Sequence, residues 1–236
     1  MLIDLHGHSK GISRCCRADG KDIVLAAKEV GLDGIVLTNH YEKSYVVDGD
    51  SLDLAKRYVA EYEYVKQCGQ NVGIKVFFGI EVTMDKCMNA HLLVYGVNPE
   101  FVINYPNVYE YTQEELYKLV KEHNGILVQA HPLRWSMDGM LDPKYLDGVE
   151  INCHPSHTGT FIKEISKAAF DNNLILTCGG DYHADIYRTK CGVYLPDNVE
   201  SIKDIVDYLK FSDTIGLCVQ EKNEMTSYYY EYKRRK

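Results

Sequence analysis

The stretch DLHGHS, at residues 4–9, lies at the end of a short apolar strand predicted over residues 2–6 and contains His-x-His. In an extended segment, residues i and i+2 point to the same side of the chain. His6 and His8 can therefore offer two imidazoles to one centre. The same spacing recurs near the other end of the chain, where Asp181 and His183 pair a carboxylate with an imidazole.

Outward from this stretch, short apolar strands alternate with amphipathic helices. The patterns predict strands over residues 2–6, 34–40, 74–82, 91–97, 126–131, 148–153 and 174–181, and helices over 21–31, 51–69, 112–125, 159–173 and 201–210. This alternation is typical of an α/β protein with a parallel sheet. In the closed form, a β/α barrel, the site lies where the carboxyl ends of the strands meet.

Composition limits the classes of function. The chain has 236 residues, of which 45% are apolar, which suits a single domain over residues 1–236 with a sizeable core. We expect residues 220–236 to be an edge strand or a flexible tail. The net charge of −8 argues against a nucleic-acid or membrane surface. The sequence lacks a long apolar run, a signal peptide and a CxxC pair, so we expect a cytoplasmic protein with free thiols.

Histidines and acidic residues follow or open most of the predicted strands. They are His6, His8, His40, Glu81, His91, His131, Asp181 and His183, with Glu150 inside the sixth strand. Imidazole and carboxylate ligands suit Zn²⁺, Mn²⁺ or iron. The set exceeds the needs of one ion, so we expect two or three divalent ions. Glu81 is the natural candidate for a carboxylate that bridges neighbouring ions.

Taken together, the motifs resemble those of a known family. DLHGHS, GLDGIVLTNH, GIEV, AHP, VEIN and GGDYHA, in this order, are similar to the blocks of the PHP (polymerase and histidinol phosphatase) domain. The resemblance extends from residue 4 to about residue 195. It implies a distorted seven-stranded β/α barrel, TIM-like, with a cleft for two or three metal ions. Family members hydrolyse phosphomonoesters or act as polymerase-associated nuclease domains.

The resemblance also assigns ligands. It implies a first metal ion on His6, His8, Glu81 and Asp181, a second on Glu81, His91 and His131, and a third on His40 and His183. The family usually supplies one more ligand from the loop after His-x-His. Asp19 is our candidate for that ligand, with Cys15 or Cys16 as alternatives. Glu150 is expected either to bind substrate or to orient a ligand.

The resemblance implies hydrolysis of a small phosphomonoester, of nucleotide, histidinol phosphate or sugar phosphate type, by a metal-activated hydroxide. Asp181, His183 and His40 would be catalytic, and either histidine could protonate the leaving oxygen if the third ion is absent. Phosphate clamps need cations. Loop residues on the same face are therefore expected to bind substrate: Arg14, Arg134, Arg188 and His154. We expect a small phosphorylated partner and neither nucleic acid nor membrane; the sequence leaves the oligomeric state open.

Three alternatives stay open. An amidohydrolase-like barrel would cleave C–N bonds, but it usually carries a lysine at a mid-barrel strand end where this sequence has Glu81. A phosphotyrosine protein phosphatase is a second alternative, since some members of the family that the sequence resembles act on phosphoproteins. A non-enzymatic module of the same fold would tolerate lost ligands, whereas the set here is nearly intact.

Overall fold

The computed structural model describes residues 1–86, 90–134, 139–156, 159–183 and 189–235. The described strands are β1 (Leu2–Gly7), β2 (Gly34–Leu37), β3 (His40–Tyr41), β4 (Lys75–Phe78), β5 (Ile80–Thr83), β6 (His91–Tyr95), β7 (Ile126–Gln129), β8 (Gly148–Asn152), β9 (Ile175–Gly179), β10 (Gly192–Tyr194), β11 (Thr214–Val219) and β12 (Tyr228–Lys233). The described α-helices are α1 (Gly20–Glu29), α2 (Ser51–Val72), α3 (Glu100–Asn104), α4 (Gln113–Glu122), α5 (Ile162–Asp171) and α6 (Ile202–Phe211). The predicted α/β class is confirmed.

The strands form two six-stranded sheets. Their orders are β12-β11-β10-β1-β2-β4 and β3-β5-β6-β7-β8-β9. The predicted seven-stranded barrel is not confirmed, because no closed barrel is detected among the strands that the structure describes. The sheets are also mixed rather than parallel, since β6 runs antiparallel to both β5 and β7. Only residues 84–90 connect β5 to β6, which is too short for the crossover that a parallel pair needs.

Two of the predicted strands are each divided into two shorter strands, one in each sheet. The predicted strand over 74–82 breaks at Gly79 into β4 in the first sheet and β5 in the second. A Cβ atom at Gly79 would lie 2.7 Å from Val36 Cγ1 and 2.8 Å from Thr38 Cγ2, so the backbone passes directly against β2. The predicted strand over 34–40 divides likewise into β2 and β3. The chain therefore passes from the first sheet to the second within each of these segments, close to the polar residues His40 and Glu81.

The helices and the tail complete the architecture. α1 begins with a capping box between Asp19 and Asp22. α2 extends past the predicted end to Gly73, whose φ of 79° gives the left-handed cap that glycine adopts at little cost. β12 pairs antiparallel with β11 and forms the edge of the first sheet, the first of the two alternatives predicted for the tail. None of the described helices has both the length and the apolar character needed to span a membrane.

Candidate metal centre

The predicted ligands meet at one end of the two sheets. β1, β2 and β4 are mutually parallel, as are β7, β8 and β9, so their carboxyl ends lie together. His91 differs from His131 and Asp181, because it is the first residue of its strand, β6, whereas they follow theirs. Because β6 is antiparallel to its neighbours, its first residue lies beside their last ones, and His91 pairs with Thr83 at the end of β5.

Glu81 lies at the middle of this cluster and is fully buried. Its Oε1 lies 2.9 Å from His91 Nδ1 and 3.2 Å from His131 Nε2. Its Oε2 faces three other imidazoles, at 2.8, 3.3 and 3.4 Å, which belong to His40, His8 and His6. One carboxylate oxygen therefore faces each of two histidine groups, which is the arrangement expected of a bridging ligand.

Asp181 completes the group around His6 and His8. Its Oδ1 lies 3.1 Å from His8 Nε2 and 3.5 Å from His6 Nε2. Two ligand atoms about 2.1 Å from one ion at a tetrahedral angle lie roughly 3.4 Å apart. The separations among His6, His8, Glu81 and Asp181 are therefore those of donors around a common ion.

The state of these buried atoms supports that fit. His6 Nε2, His8 Nε2 and Glu81 Oε2 are buried and make no hydrogen bond, although they lie within 3.5 Å of potential partners. Buried polar atoms in proteins are nearly always satisfied, and exceptions need an explanation such as an ion. Imidazole nitrogens and a carboxylate oxygen that face one another without hydrogen bonds are explained by a divalent cation between them. The residues present thus fit a metal centre.

The opposite ring nitrogens are held in place by further side chains. His6 Nδ1 lies 2.9 Å from Glu150 Oε1, and His8 Nδ1 lies 3.0 Å from Ser13 Oγ. Metal-binding histidines commonly have a carboxylate or similar partner that fixes the tautomer and the ring orientation. Of the two roles expected for Glu150, orientation of a ligand is the one that these contacts favour.

Two of the predicted ligands adopt unusual backbone conformations. His131 and Asp181 follow β7 and β9 with φ values of 29° and 50°. Left-handed backbone costs a non-glycine residue on the order of 1–3 kcal/mol and tends to occur at functional sites. Here it turns both side chains toward the cluster directly after their strands.

Charges within the cluster shift the pKa values of its members. Burial acts to lower the pKa of His6, but the carboxylates of Glu150, Asp181 and Glu81 outweigh it and raise that pKa well above its ordinary value. Burial acts to raise the pKa of Glu81, but the neighbouring histidines outweigh it and hold that pKa well below the usual range. Burial, together with the nearby His183 and His40, lowers the pKa of His8 well below its ordinary value.

These shifts predict a pH dependence of metal binding. His6 in the metal-free chain keeps its proton above the ordinary pKa of 6.5, and a metal ion can bind its Nε2 only after a proton leaves. Affinity should therefore rise with pH, by about tenfold per pH unit for each proton displaced. Competition titrations with Zn²⁺ between about pH 6 and pH 8 measure this slope. Glu150 is the charge that raises the His6 pKa most, so Glu150→Gln should reduce the slope of affinity against pH. A Zn²⁺ affinity that does not change with pH would contradict this assignment.

A third group lies at the mouth of the cluster. The donor nitrogens of His8, His40 and His183 lie within 4.8 Å of one another, and His183 Nε2 lies 3.0 Å from Cys15 Sγ. Burial acts to raise the pKa of Cys15, but hydrogen bonds with His183 and His40 outweigh it and lower the pKa to about 6. The thiolate is the form in which cysteine binds metals. Cys15 is therefore the loop residue that the structure places beside His40 and His183.

The structure does not place Asp19, the residue predicted as the extra ligand, in the histidine cluster. Asp19 caps α1 by accepting a hydrogen bond from Lys21 N, and its carboxylate also bonds with Tyr64 and Lys10 on the surface. The other alternative, Cys16, is buried and directs its thiol to the backbone carbonyls of His8 and Ala18. The physical reason is local, since an aspartate followed by a second acidic residue three positions on is a helix-capping pair.

This difference between Asp19 and Cys15 can be measured. Asp19→Ala should lower the free energy of unfolding by about 1 kcal/mol through loss of the helix cap, with no loss of bound metal. Cys15→Ser should leave the free energy of unfolding nearly unchanged and weaken binding at the third centre. Metal content and denaturant unfolding of both variants test the assignment. Metal loss in Asp19→Ala with full retention in Cys15→Ser would reverse it.

The residues predicted to bind substrate lie around the same mouth, as far as the structure describes them. Arg14 is exposed and its guanidinium stacks 4.8 Å from the ring centre of Tyr45, whose ring in turn meets that of His40 edge-on. Arg134 follows His131 and bonds to its carbonyl through the backbone; its Nε is buried without a hydrogen bond. His154 lies with its ring centre 5.8 Å from that of His183. Arg188 lies outside the described residues.

Comparison with solved structures gives this arrangement a context. The chain superimposes with a TM-score of 0.64 and 18% identity on a two-domain protein from Bacteroides vulgatus that contains a predicted PHP-like metal-dependent phosphoesterase. The match covers 93% of this chain and 65% of that protein, so the chain spans slightly less than two thirds of it. A candidate metal-dependent phosphoesterase from Bifidobacterium adolescentis matches with a TM-score of 0.57 and 15% identity, over 88% of this chain and 95% of that one.

Other comparisons are weaker or lie in a different class. An amidohydrolase from Chromobacterium violaceum matches with a TM-score of 0.52 and 15% identity, over 89% of this chain and 97% of that one. No family model matches the sequence. A curated protein of Methanopyrus kandleri, named Probable tRNA pseudouridine synthase B, is 30% identical over 108 residues, which are 42% of this chain and 31% of that protein.

The structural matches are too distant in sequence to show more than the fold. They agree with the six sequence blocks that end at the strand termini, and the resemblance inferred from those blocks is confirmed at that level. The chain has the fold of the PHP-like metal-dependent phosphoesterases.

Proposed function

We propose that this protein is a metal-dependent phosphatase that hydrolyses small phosphomonoesters. The observation that carries the proposal is the position of Glu81, with one oxygen facing His91 and His131 and the other facing His6, His8 and His40. A bridged pair of ions is well suited to phosphoryl transfer, because it can stabilise both the attacking and the leaving oxygen. The fold shared with PHP-like phosphoesterases supports the same reaction class.

The donor sets divide into two buried groups and one group at the mouth. His6, His8, Glu81 and Asp181 would hold one ion, and Glu81, His91 and His131 a second. His40, His183 and Cys15 would hold a third. When bound, such ions lower the pKa of water and neutralise charge on phosphoryl oxygens. Zn²⁺, Mn²⁺ and iron all accept this ligand chemistry, and the thiolate of Cys15 would favour the softer ions.

The chain's own side chains have further roles in this proposal. Arg134 has a buried Nε without a hydrogen bond among the described residues, next to His131, so it can donate to a phosphoryl oxygen. Arg14 is restrained by Tyr45 beside His40 and offers a second cation. Local charges, chiefly that of Asp181, overcome the effect of burial and raise the pKa of His183. His183 can therefore carry a proton to the leaving oxygen when no third ion occupies its ring nitrogen.

Charge favours a small substrate over a polymer. The chain carries a formal net charge of −8, whereas proteins that grip a nucleic-acid backbone need a basic surface to neutralise its phosphates. A metabolite or nucleotide monophosphate needs only the local positive charge of the ions and one or two arginines. The expectations of a single domain and of a cytoplasmic location remain predictions.

Phosphate release from a panel of monoesters tests the proposal. The panel contains nucleoside monophosphates, histidinol phosphate, sugar phosphates and phosphotyrosine, and the protein is reconstituted with Mn²⁺ or Zn²⁺. Asp181→Ala should lower release by about 10³-fold or more through loss of a metal ligand. Asp171→Ala, which alters an exposed carboxylate paired with Lys167, is the matched control and should be unchanged. No release from any ester by protein with bound metal would refute the monoesterase assignment.

A second candidate function is hydrolysis of C–N bonds. It is favoured by the match to the Chromobacterium violaceum amidohydrolase, whose fold covers 89% of this chain. The same metal-loaded preparation assayed against amides, lactams and cyclic ureas distinguishes the two classes. Turnover of a C–N substrate that is lost in Asp181→Ala, together with no phosphate release, would replace the phosphatase proposal.

A further inference from the structure

Three buried cysteines meet beneath the candidate metal centre. Cys178 lies in β9, Cys153 directly follows β8, and Cys191 directly precedes β10. Their exposed fractions are 0%, 4% and 0%. They come from three separate segments and form no spacing motif, so only the fold brings them together. We call Cys153, Cys178 and Cys191 the thiol cluster.

The distances within the thiol cluster suit a metal ion. Cys153 Sγ lies 3.6 Å from Cys178 Sγ, and all three sulfur atoms lie within 4.8 Å of one another. Three thiolates around one ion, each with a metal–sulfur bond of about 2.3 Å, place their sulfur atoms roughly 4 Å apart. The sulfur atoms therefore already lie near the separations that a shared ion would impose.

A carboxylate adjoins the thiol cluster. Asp4 Oδ1 accepts hydrogen bonds from His6 N and Gly180 N, both at 2.9 Å, while its Oδ2 lies 3.9 Å from Cys191 Sγ. A Cβ atom on Gly180 would lie 2.7 Å from Asp4 Oδ2 and 3.2 Å from Cys191 Sγ. The glycine thus keeps open the space between a buried carboxylate oxygen and the cysteine. The Cys191 thiol donates a hydrogen bond to Asp4 Oδ2, and a cation that replaced the thiol proton would find both atoms and the space beside Gly180 already in place.

The thiol cluster lies where the two sheets adjoin, so an ion bound there would hold them together. Cys178 lies in the second sheet and Cys153 directly follows β8 of that sheet, whereas Cys191 leads into β10 of the first. β9 lies beside β1, β10 and β11 but belongs to a different sheet. Hydrogen bonds such as those from Gly180 N to Asp4 and from His8 N to Tyr182 O join this boundary. A shared ion would connect the two sheets directly below the catalytic ligands.

We propose that Cys153, Cys178 and Cys191 bind one thiophilic divalent cation, of the Zn²⁺ class, at a structural site separate from the histidine and carboxylate centre. Binding converts the three thiols to thiolates and releases their protons to solvent, so the ion is bound more weakly in acid. Asp4, whose Oδ2 lies 3.9 Å from Cys191 Sγ, places a buried carboxylate beside the three sulfur atoms. Because three thiolates suit tetrahedral and trigonal ions, the site selects Zn²⁺ over Mg²⁺ or Ca²⁺.

Cobalt is the probe that separates this site from the catalytic ligands. The chain is produced in minimal medium with Co²⁺ in a Cys15→Ser background, which removes the thiol beside His183. Any thiolate-to-cobalt charge-transfer band in the near ultraviolet then cannot come from the third centre. Cys178→Ser and Cys191→Ser are compared with Cys218→Ser, a matched control that is equally buried in the neighbouring strand β11.

We expect the charge-transfer band in the parent and in Cys218→Ser. Cys178→Ser and Cys191→Ser should each lose the band and about one bound cobalt ion per chain, and should melt at a lower temperature than the parent. Cobalt X-ray absorption of the parent needs no further variant, and should show sulfur scatterers at about 2.3 Å. A parent with only nitrogen and oxygen scatterers would overturn the proposal. So would a band that is unchanged in folded Cys178→Ser. Neither outcome depends on phosphatase activity, so the proposed function is tested separately.

Discussion

Replacing Glu81 by glutamine should lower phosphate release by at least about 10³-fold and remove bound metal from two centres at once. Glutamine has the size of glutamate, so it fills the same buried space. It carries no charge, however, and its amide nitrogen cannot be a ligand. Whichever way the amide is turned, an NH₂ group faces imidazoles on one side, at His91 and His131 or at His6, His8 and His40.

Metal content and kcat/KM measured on the same preparation test this result. Glu164→Gln, an exposed substitution in the first turn of α5, controls for the loss of one negative charge and should match the wild type in both measurements. Because the charge that balances the buried histidines is lost, Glu81→Gln should also lower the stability of the metal-free chain. A variant that keeps both its metal content and its rate would show that Glu81 is not a bridging ligand.

Replacing Glu150 by glutamine should weaken metal affinity by about 10–100-fold without removing a ligand. Glu150 is fully buried, and its Oε1 lies 2.9 Å from His6 Nδ1. Its Oε2 accepts hydrogen bonds from His131 N at 3.2 Å and Asn152 Nδ2 at 2.9 Å. The substitution therefore disturbs the orientation of His6 and the backbone at His131, where φ is already positive.

The two roles expected of Glu150 give different measurements. If it orients His6, Glu150→Gln lowers metal affinity, and saturating metal restores much of the rate. If it binds substrate, metal affinity stays at the wild-type value and KM rises. Titration of phosphate release with metal at several substrate concentrations separates the two. A raised KM with unchanged metal affinity would contradict the role in ligand orientation.

Local patterns predicted most of the secondary-structure elements, but not the directions of the strands. Alternation and caps located β1, β7, β8 and most helices within a few residues. Nothing in the residues of β6 shows that it runs antiparallel, since that depends on which strands it pairs with. Gly79 was included in one continuous strand because its close approach to Val36 is a tertiary contact. TIGLCV (214–219), now β11, is an apolar run that the same criterion could have identified.

At the candidate site too, local sequence patterns pointed to some residues, and tertiary contacts brought in others. The strand-end histidines and acids were visible because each chemistry-bearing residue stands next to an apolar run. The sequence could not choose among Asp19, Cys15 and Cys16, because a helix-capping aspartate and a metal-binding aspartate look alike in sequence. The distance from Cys15 to His183 is a tertiary contact that the sequence does not show. The thiol cluster could not be foreseen, because its members are 25 and 13 residues apart and meet only where the two sheets adjoin.

An anomalous-scattering crystal structure of the chain grown with Mn²⁺ or Zn²⁺ would show directly whether Glu81 bridges two ions. We expect at least two anomalous peaks on either side of Glu81, one among His6, His8 and Asp181 and the other beside His91 and His131. Both peaks should vanish in Glu81→Gln crystals grown in the same way. A well-ordered structure from crystals grown with metal and without a peak at Glu81 would show that Glu81 is not a bridging ligand.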